Sequence, residues 1–215
     1  PNDRMLRWSA KDGMRVWRER VEFTNGHTRA LDGTILHCSH GLRAVFRTNV
    51  DGSAQRTVGD RWEGRRFNAP NDVVVKSDGT IWFTDPPYGH ATDLEGHKGV
   101  SELGRNYVFC FDPRNGSLTI VADDFTNPNG LCFSPDERLL YIADTGRSFD
   151  PDGPQHIRVF EVGEGNRLKG GRVFASPDVG AADGIRVDAE GYLWSSAGVG
   201  VHVFVRGGAL VGKIR

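Results

Sequence analysis

Short apolar runs, most of them alternating with polar residues, follow one another along the whole chain. This alternation has the period of two that is typical of a strand with one buried face. Glycine and Asp-Gly turns separate the runs, and no helical period is sustained. The 215 residues include 28 glycines, which suits many tight turns between short strands. The pattern predicts a single all-β domain over residues 1–215.

A repeated unit orders these strands. Four segments align without gaps, and each holds a strand, a turn and a second strand. They open at Asn25, Asn71, Asn129 and Asp183, which are 46, 58 and 54 residues apart. After each segment comes a run that alternates valine and phenylalanine, then a turn and a weaker strand. Four antiparallel strands in each unit are typical of a β-propeller blade.

The repeat accounts for about four blades plus a leading half-blade at residues 4–13. A β-sandwich and an eight-stranded barrel are the alternatives, but neither explains a four-strand repeat in constant phase. Residues 209–215 end where a fourth strand would begin. A closed propeller would need roughly one and a half further blades, so we expect the sequence to be cut at both ends.

The four opening residues are candidates for a metal site. In a propeller the first strand of each blade lines the central channel, so these side chains converge at one mouth. Carboxylate and amide oxygens suit Ca²⁺, and less often Mg²⁺ or Mn²⁺. The alternative is structural, because Asn-Gly and Asp-Gly are common turn dipeptides.

Three long motifs resemble one known family. Residues 67–89, FNAPNDVVVKSDGTIWFTDPPYG, are similar to the signature of bacterial gluconolactonases. Residues 127–146, NPNGLCFSPDERLLYIADTG, and 183–204, DGIRVDAEGYLWSSAGVGVHVF, resemble the next two blades of the same SMP-30/gluconolactonase family. The resemblance extends over essentially the whole chain.

This resemblance implies a six-bladed propeller that holds one divalent cation and hydrolyses sugar lactones. By motif, Asn129 and Asp183 match the metal-binding residues, and Asn71 matches a residue that faces the substrate. Calcium is the expected cation, with magnesium, manganese and zinc as alternatives. The family's remaining ligand, a glutamate, would precede Pro1. Asp183 is also our candidate for activating the attacking water, which requires that one of its carboxylate oxygens stay free of the metal.

Two further features bear on the substrate. The connection between the strands at Phe83 and Tyr107 is unusually long, and long ordered loops are often functional. It is either a surface loop or a lid that brings Tyr88, His90 or His97 to the channel. Arg65 and Arg66 are weaker candidates for reading sugar hydroxyls, since exposed arginines beside a turn are usually solvated.

Other functions are less well supported. His37 and His40 point to opposite faces of an extended strand, which argues against zinc there. The serines lack a GxSxG context, which argues against a serine hydrolase. A related aryl-ester or phosphotriester hydrolase and a non-catalytic binding propeller remain alternatives, because propellers host many activities.

Composition limits the partners. The net charge of −1 gives no electrostatic basis for binding nucleic acid, and no apolar run approaches the length of a membrane span. Cys38, Cys110 and Cys132 are widely spaced and lie in apolar runs, so we expect buried free thiols. The expected partner is a small sugar lactone. The oligomeric state stays open, and the expected compartment is either the cytoplasm, which is slightly favoured, or the periplasm.

Overall fold

A computed structural model describes residues 3–215. Pro1 and Asn2, where the predicted domain begins, lie outside the described residues. The chain opens with a hairpin of strands β1 (Arg4–Ser9) and β2 (Gly13–Glu19). This hairpin occupies the segment in which the sequence predicts a half-blade.

Four four-stranded antiparallel sheets follow, each a meander in which consecutive strands pair. The first blade contains β3 (Thr24–Arg29), β4 (Ile35–Ser39), β5 (Ala44–Thr48) and β6 (Arg56–Gly59). A small hairpin of β7 (Arg61–Trp62) and β8 (Arg65–Arg66) precedes the second blade, which contains β9 (Val73–Val75), β10 (Ile81–Asp85), β11 (Tyr107–Asp112) and β12 (Ser117–Ala122). The third contains β13 (Pro128–Phe133), β14 (Leu139–Asp144), β15 (His156–Val162) and β16 (Leu168–Ala175). The fourth contains β17 (Ile185–Val187), β18 (Leu193–Ala197), β19 (Gly200–Phe204) and β20 (Leu210–Ile214).

Helical structure within the described residues is confined to loops. A single-turn helix, α1 (Tyr88–Ala91), lies between β10 and β11. Two 3₁₀ turns cover Gly146–Ser148 and Glu164–Asn166. No helix in this part of the chain has the length and apolar character needed to span a bilayer.

The all-β propeller architecture predicted from the repeat is confirmed, and each inner strand begins within two residues of the predicted opening residue. One detail of the prediction is wrong. Residues 209–215 do not stop short of a fourth strand, because Leu210–Ile214 forms β20 and pairs with β19. The total of six blades stays a prediction.

Neighbouring inner strands approach one another closely at two glycines. Gly26 on β3 donates its N–H to the Asn71 carbonyl oxygen at 2.8 Å, and Gly130 on β13 donates to the Asp183 carbonyl oxygen at 3.0 Å. A Cβ atom at Gly26 would lie 2.4 Å from the Asn71 oxygen, and one at Gly130 would lie 2.1 Å from the Asp183 oxygen. The Asn-Gly dipeptides therefore serve a close backbone approach, and they are not turns.

Between the second and third blades, a side chain makes the contact that a glycine N–H makes elsewhere. Asp72 takes the place of the glycine, and its Oδ2 accepts the N–H of Leu131 at 3.3 Å. The same oxygen accepts from the guanidinium of Arg186 at 3.3 Å, which joins the fourth blade to this contact. Burial raises the pKa of Asp72, and the arginine opposes that effect. Polar side chains thus help to fix the inner strands relative to one another.

The hydrophobic core lies between the faces of adjacent blades. Phe67, Phe83 and Phe109 are fully buried with the apolar face of the first blade. Trp82 lies in a second cluster, between the second and third blades, and a third cluster joins the third and fourth blades. Each blade therefore buries apolar surface against its neighbour, which fixes the angle at which the inner strands meet. The three cysteines are free thiols buried among these strands, as predicted.

Candidate functional site

The four opening residues meet at one end of the inner strands. Asn25 donates through Nδ2 to Oδ1 of Asn71 at 2.6 Å, and Asn71 donates through Nδ2 to Oδ1 of Asn129 at 2.6 Å. Asp183 lies two residues before the inner strand β17 of the next blade, and its main-chain oxygen accepts the Gly130 N–H described above. All four line one cavity of about 370 Å³, here called the mouth cavity. The three asparagine side chains therefore meet, and Asp183 lines the same cavity.

A buried carboxylate holds the segment that presents Asn71. Asp85, the last residue of β10, accepts the N–H groups of Asn68 and Ala69, both at 2.8 Å. These bonds pin the chain two to three residues before Asn71. Complete burial raises the pKa of Asp85 to about 7, although its two N–H donors favour the ionised form.

The third blade repeats this arrangement. Asp144, the last residue of β14, accepts the N–H groups of Thr126 at 3.0 Å and Asn127 at 2.9 Å. Asn129 lies two residues after Asn127. The end of the second strand lies beside the start of the inner strand because the two strands are antiparallel. An aspartate at that position can therefore fix the asparagine that opens the blade.

His40 is a site residue that the sequence analysis missed. Its Nδ1 donates to the main-chain oxygen of Glu95 at 3.0 Å, since a carbonyl oxygen only accepts. Its Nε2 lies 3.0 Å from Oδ1 of Asn71 and 3.4 Å from Nδ2 of Asn25. Burial lowers the pKa of His40, which favours the neutral ring. With its proton on Nδ1, the ring keeps a lone pair on Nε2 that can accept from Nδ2 of Asn25, whereas Oδ1 of Asn71 is itself an acceptor. The sequence feature that could have indicated His40 is its position directly after β4, because the end of β4 lies beside the start of β3.

The long loop between β10 and β11 reaches the mouth cavity, and Tyr88 is the one of its three candidate residues that lines it. The Tyr88 hydroxyl is hydrogen-bonded to Oγ1 of Thr145. Burial raises the pKa of Tyr88, which keeps the phenol protonated and able to donate. His90 is buried beneath the loop, and His97 bonds Oε2 of Glu22 at 3.1 Å.

Two glycines allow close packing of this loop, Gly89 against the first blade and Gly96 against the loop itself. A Cβ atom at Gly89 would lie 2.4 Å from Cβ of His40, and one at Gly96 would lie 2.0 Å from the Gly89 oxygen. The N–H of His97 also donates to the Gly89 oxygen at 2.9 Å. The loop is therefore packed closely over the site and cannot take larger residues at either position without moving.

The remaining sequence candidates lie elsewhere. Arg65 stacks over Trp62 with 5.2 Å from Cζ to the ring centroid, and Arg66 donates to the Leu42 oxygen at 3.2 Å, so neither lines the mouth cavity. His37 and His40 bond different partners. Its Nδ1 lies 2.9 Å from Nδ1 of His27.

The polar floor of the mouth cavity fits a hard cation. Within residues 3–215 the carboxylate oxygens of Asp183 accept no hydrogen bond. Among the described residues, Oδ1 of Asn129 accepts one bond, from Asn71, and an amide oxygen has two lone pairs. No group of three or more His, Cys, Asp or Glu side chains placed to hold a metal exists in this described range. The available set is one amide oxygen and one carboxylate, a donor chemistry that favours Ca²⁺ over softer metals.

Comparison with known proteins agrees with the fold. The family described as the SMP-30/Gluconolactonase/LRE-like region matches residues 1–215. A gluconolactonase from Zymomonas mobilis is 32% identical over 200 residues, which cover 89% of this chain and 54% of the relative, so the chain spans about half of that protein. The solved structure of a gluconolactonase from Xanthomonas campestris has a TM-score of 0.92 at 39% identity, over 99% of this chain and 69% of that chain. A calcium-binding regucalcin from Agrobacterium tumefaciens shares the fold, with a TM-score of 0.73 at 19% identity over 99% of this chain and 66% of that chain. The chain belongs to the SMP-30/gluconolactonase/LRE-like family.

Proposed function

We propose that this chain carries the reaction site of a calcium-dependent hydrolase that opens a sugar lactone, such as gluconolactone, to its hydroxy acid. The observation that carries the proposal is the meeting of Asn25, Asn71, Asn129 and Asp183 in one cavity. The lactone-hydrolysing relatives support the reaction class. The calcium-binding neighbour supports the cation, although its likeness to this chain is one of fold.

Asn129 and Asp183 are the residues that would hold the cation. Calcium takes six to eight oxygen ligands, so these two side chains form part of its shell. A bound divalent cation would supply Lewis-acid polarisation of the lactone carbonyl. Magnesium, manganese and zinc are the less suitable alternatives: magnesium demands a stricter octahedron, and zinc prefers nitrogen and sulfur ligands.

Asp183 takes the proton of the attacking water. Its carboxylate carries no hydrogen bond from the described protein, so one oxygen is free to act as the base. Water adds to the carbonyl carbon, the bond from that carbon to the ring oxygen breaks, and the proton held by Asp183 passes to the ring oxygen. The product is a hydroxy acid, and the atoms of one water molecule are accounted for.

Neutral side chains bind the sugar. Asn71 and Asn25 offer amide donors and acceptors without charge, which suits hydroxyl groups. The phenol of Tyr88 adds a donor from the loop, and His40 orients Asn25 by accepting from its Nδ2. The loop itself covers one side of the cavity and limits the access of bulk water to the reacting carbon.

Acid release from glucono-1,5-lactone tests this function directly. We expect release above the uncatalysed rate with Ca²⁺, loss of release with a chelator, and a fall of at least about 10²-fold in kcat for Asp183→Asn. Asp123→Asn is the matched control, because Asp123 is exposed and forms a long ion pair with Arg105, at 3.8 Å. Release that is insensitive to the chelator, or equal in Asp183→Asn and the control, would refute the proposal.

The two alternatives are separated by further arms of the same assay. Turnover of paraoxon that exceeds turnover of the lactone would indicate the phosphotriesterase alternative. Calcium binding without turnover of either substrate would indicate a non-catalytic propeller. We expect lactone turnover to be the larger of the two.

A further inference from the structure

One wall of the mouth cavity is apolar, in contrast to its polar floor. Leu94 comes from the long loop of the second blade, and Phe149 comes from the loop between β14 and β15 of the third. Their exposed fractions are 63% and 54%, which is high for large apolar side chains. Two loops of different blades thus place apolar groups on the same cavity.

The Phe149 ring and the main chain of both residues are held by neighbouring groups. The Phe149 ring lies 5.6 Å from the Tyr88 ring, with an interplanar angle of 30°. The Phe149 N–H donates to the Gly146 oxygen at 3.2 Å, and the Leu94 N–H donates to Oγ1 of Thr92 at 3.2 Å. The apolar wall is therefore a defined surface.

This wall has no partner in an unsubstituted sugar lactone. Such a lactone carries hydroxyl groups on most carbons, and Leu94 and Phe149 offer them neither donors nor acceptors. A lactone with an alkyl substituent matches both parts of the cavity, because its ester lies on the polar floor while its chain covers the wall. Burial of the alkyl chain against this wall removes apolar surface from water, which increases the affinity for the substituted lactone.

We propose that Leu94 and Phe149 form a subsite for the alkyl substituent of a lactone. The inference rests on the proposed lactone hydrolysis and adds a substrate class to it. Its signature is a dependence of kcat/KM on chain length, of about fourfold for each buried carbon of the alkyl chain and about 10³-fold for the five carbons of a pentyl chain.

The test compares δ-decalactone, which carries a pentyl group, with unsubstituted δ-valerolactone. We expect kcat/KM to favour δ-decalactone, and Leu94→Ser and Phe149→Ser each to lower that ratio about tenfold. Leu94→Met keeps an apolar side chain and should preserve the ratio. Val100→Ser is the matched control, since Val100 is 84% exposed on the same loop and does not line the cavity.

Binding of the product acids gives the same comparison without turnover. Calorimetry with 5-hydroxydecanoate and 5-hydroxypentanoate should show the same preference and the same loss in Leu94→Ser. Thermal unfolding of each variant identifies any loss that comes from misfolding. A wild-type ratio near one, or an equal ratio in Leu94→Ser and Val100→Ser, overturns the subsite. If no lactone is turned over but the decanoate preference persists, the proposed hydrolysis falls and the subsite stands.

Discussion

The replacement Gly130→Ala tests whether close contact between inner strands builds the site. The new Cβ would lie 2.1 Å from the main-chain oxygen of Asp183, a distance that real Cβ atoms essentially never show. The fourth blade must therefore move by about 1 Å relative to the third. The movement also strains the bond from the Gly130 N–H to the same oxygen, now 3.0 Å long.

The expected loss of stability follows from these two effects. Overpacking costs about 1–3 kcal/mol, and a weakened hydrogen bond costs about 0.5–1.5 kcal/mol. Together they lower the free energy of unfolding by about 2–4 kcal/mol, or about 5–15 °C in Tm for a chain of this size. Because the moved oxygen belongs to Asp183, we also expect a fall of about 10²-fold in kcat/KM.

Urea unfolding followed by tryptophan fluorescence, together with the lactone assay, measures both effects. Gly207→Ala is the control, because a Cβ there meets no atom within 4 Å. It should change stability by less than about 1 kcal/mol. If Gly130→Ala is as stable and as active as this control, the close approach of the inner strands does not position Asp183.

Two further predictions concern buried groups. Burial raises the pKa of Asp85 to about 7 in the folded protein, above its unfolded value near 4. The folded state therefore binds more protons between these values, and stability falls as pH rises from about 4 to 7. Urea unfolding at several pH values should show this fall in the wild type and a flatter profile in Asp85→Asn; equal slopes would contradict it. The three cysteines are buried, and burial raises their thiol pKa values. Ellman's reagent should label none of them in the folded protein and all of them in denaturant, and rapid labelling without denaturant would show that the blades are open.

The repeat in the sequence was sufficient to predict the architecture and the floor of the site. Strand period and turn spacing specify a blade, and constant phase puts Asn71, Asn129 and Asp183 at the same level of neighbouring blades. The position of these residues along the inner strands depends on backbone geometry alone, so the repeat pattern was enough to predict it. The weaker strand β20 was missed because a short terminal run carries little periodic signal.

Contacts made by loops were less accessible from the sequence. His40 binds a main-chain oxygen of Glu95, 55 residues away, and a main-chain partner has no signature in residue types. The sequence indicated three residues of the long loop as candidates for the cavity wall. The packing of Gly89 against His40 determines that Tyr88 is the one that lines the cavity. Arg65 and Arg66 lie near the site in sequence, yet the hairpin β7–β8 carries them away from it.

The central claim is that Asn129 and Asp183 share one cation. A crystal structure of this chain with Ca²⁺, with the ion located by its anomalous scattering, tests it most directly. We predict one ion in the mouth cavity, about 2.3–2.6 Å from Oδ1 of Asn129 and from an Asp183 carboxylate oxygen. A calcium-saturated crystal with no ion there, or with an ion that contacts neither side chain, would contradict the claim.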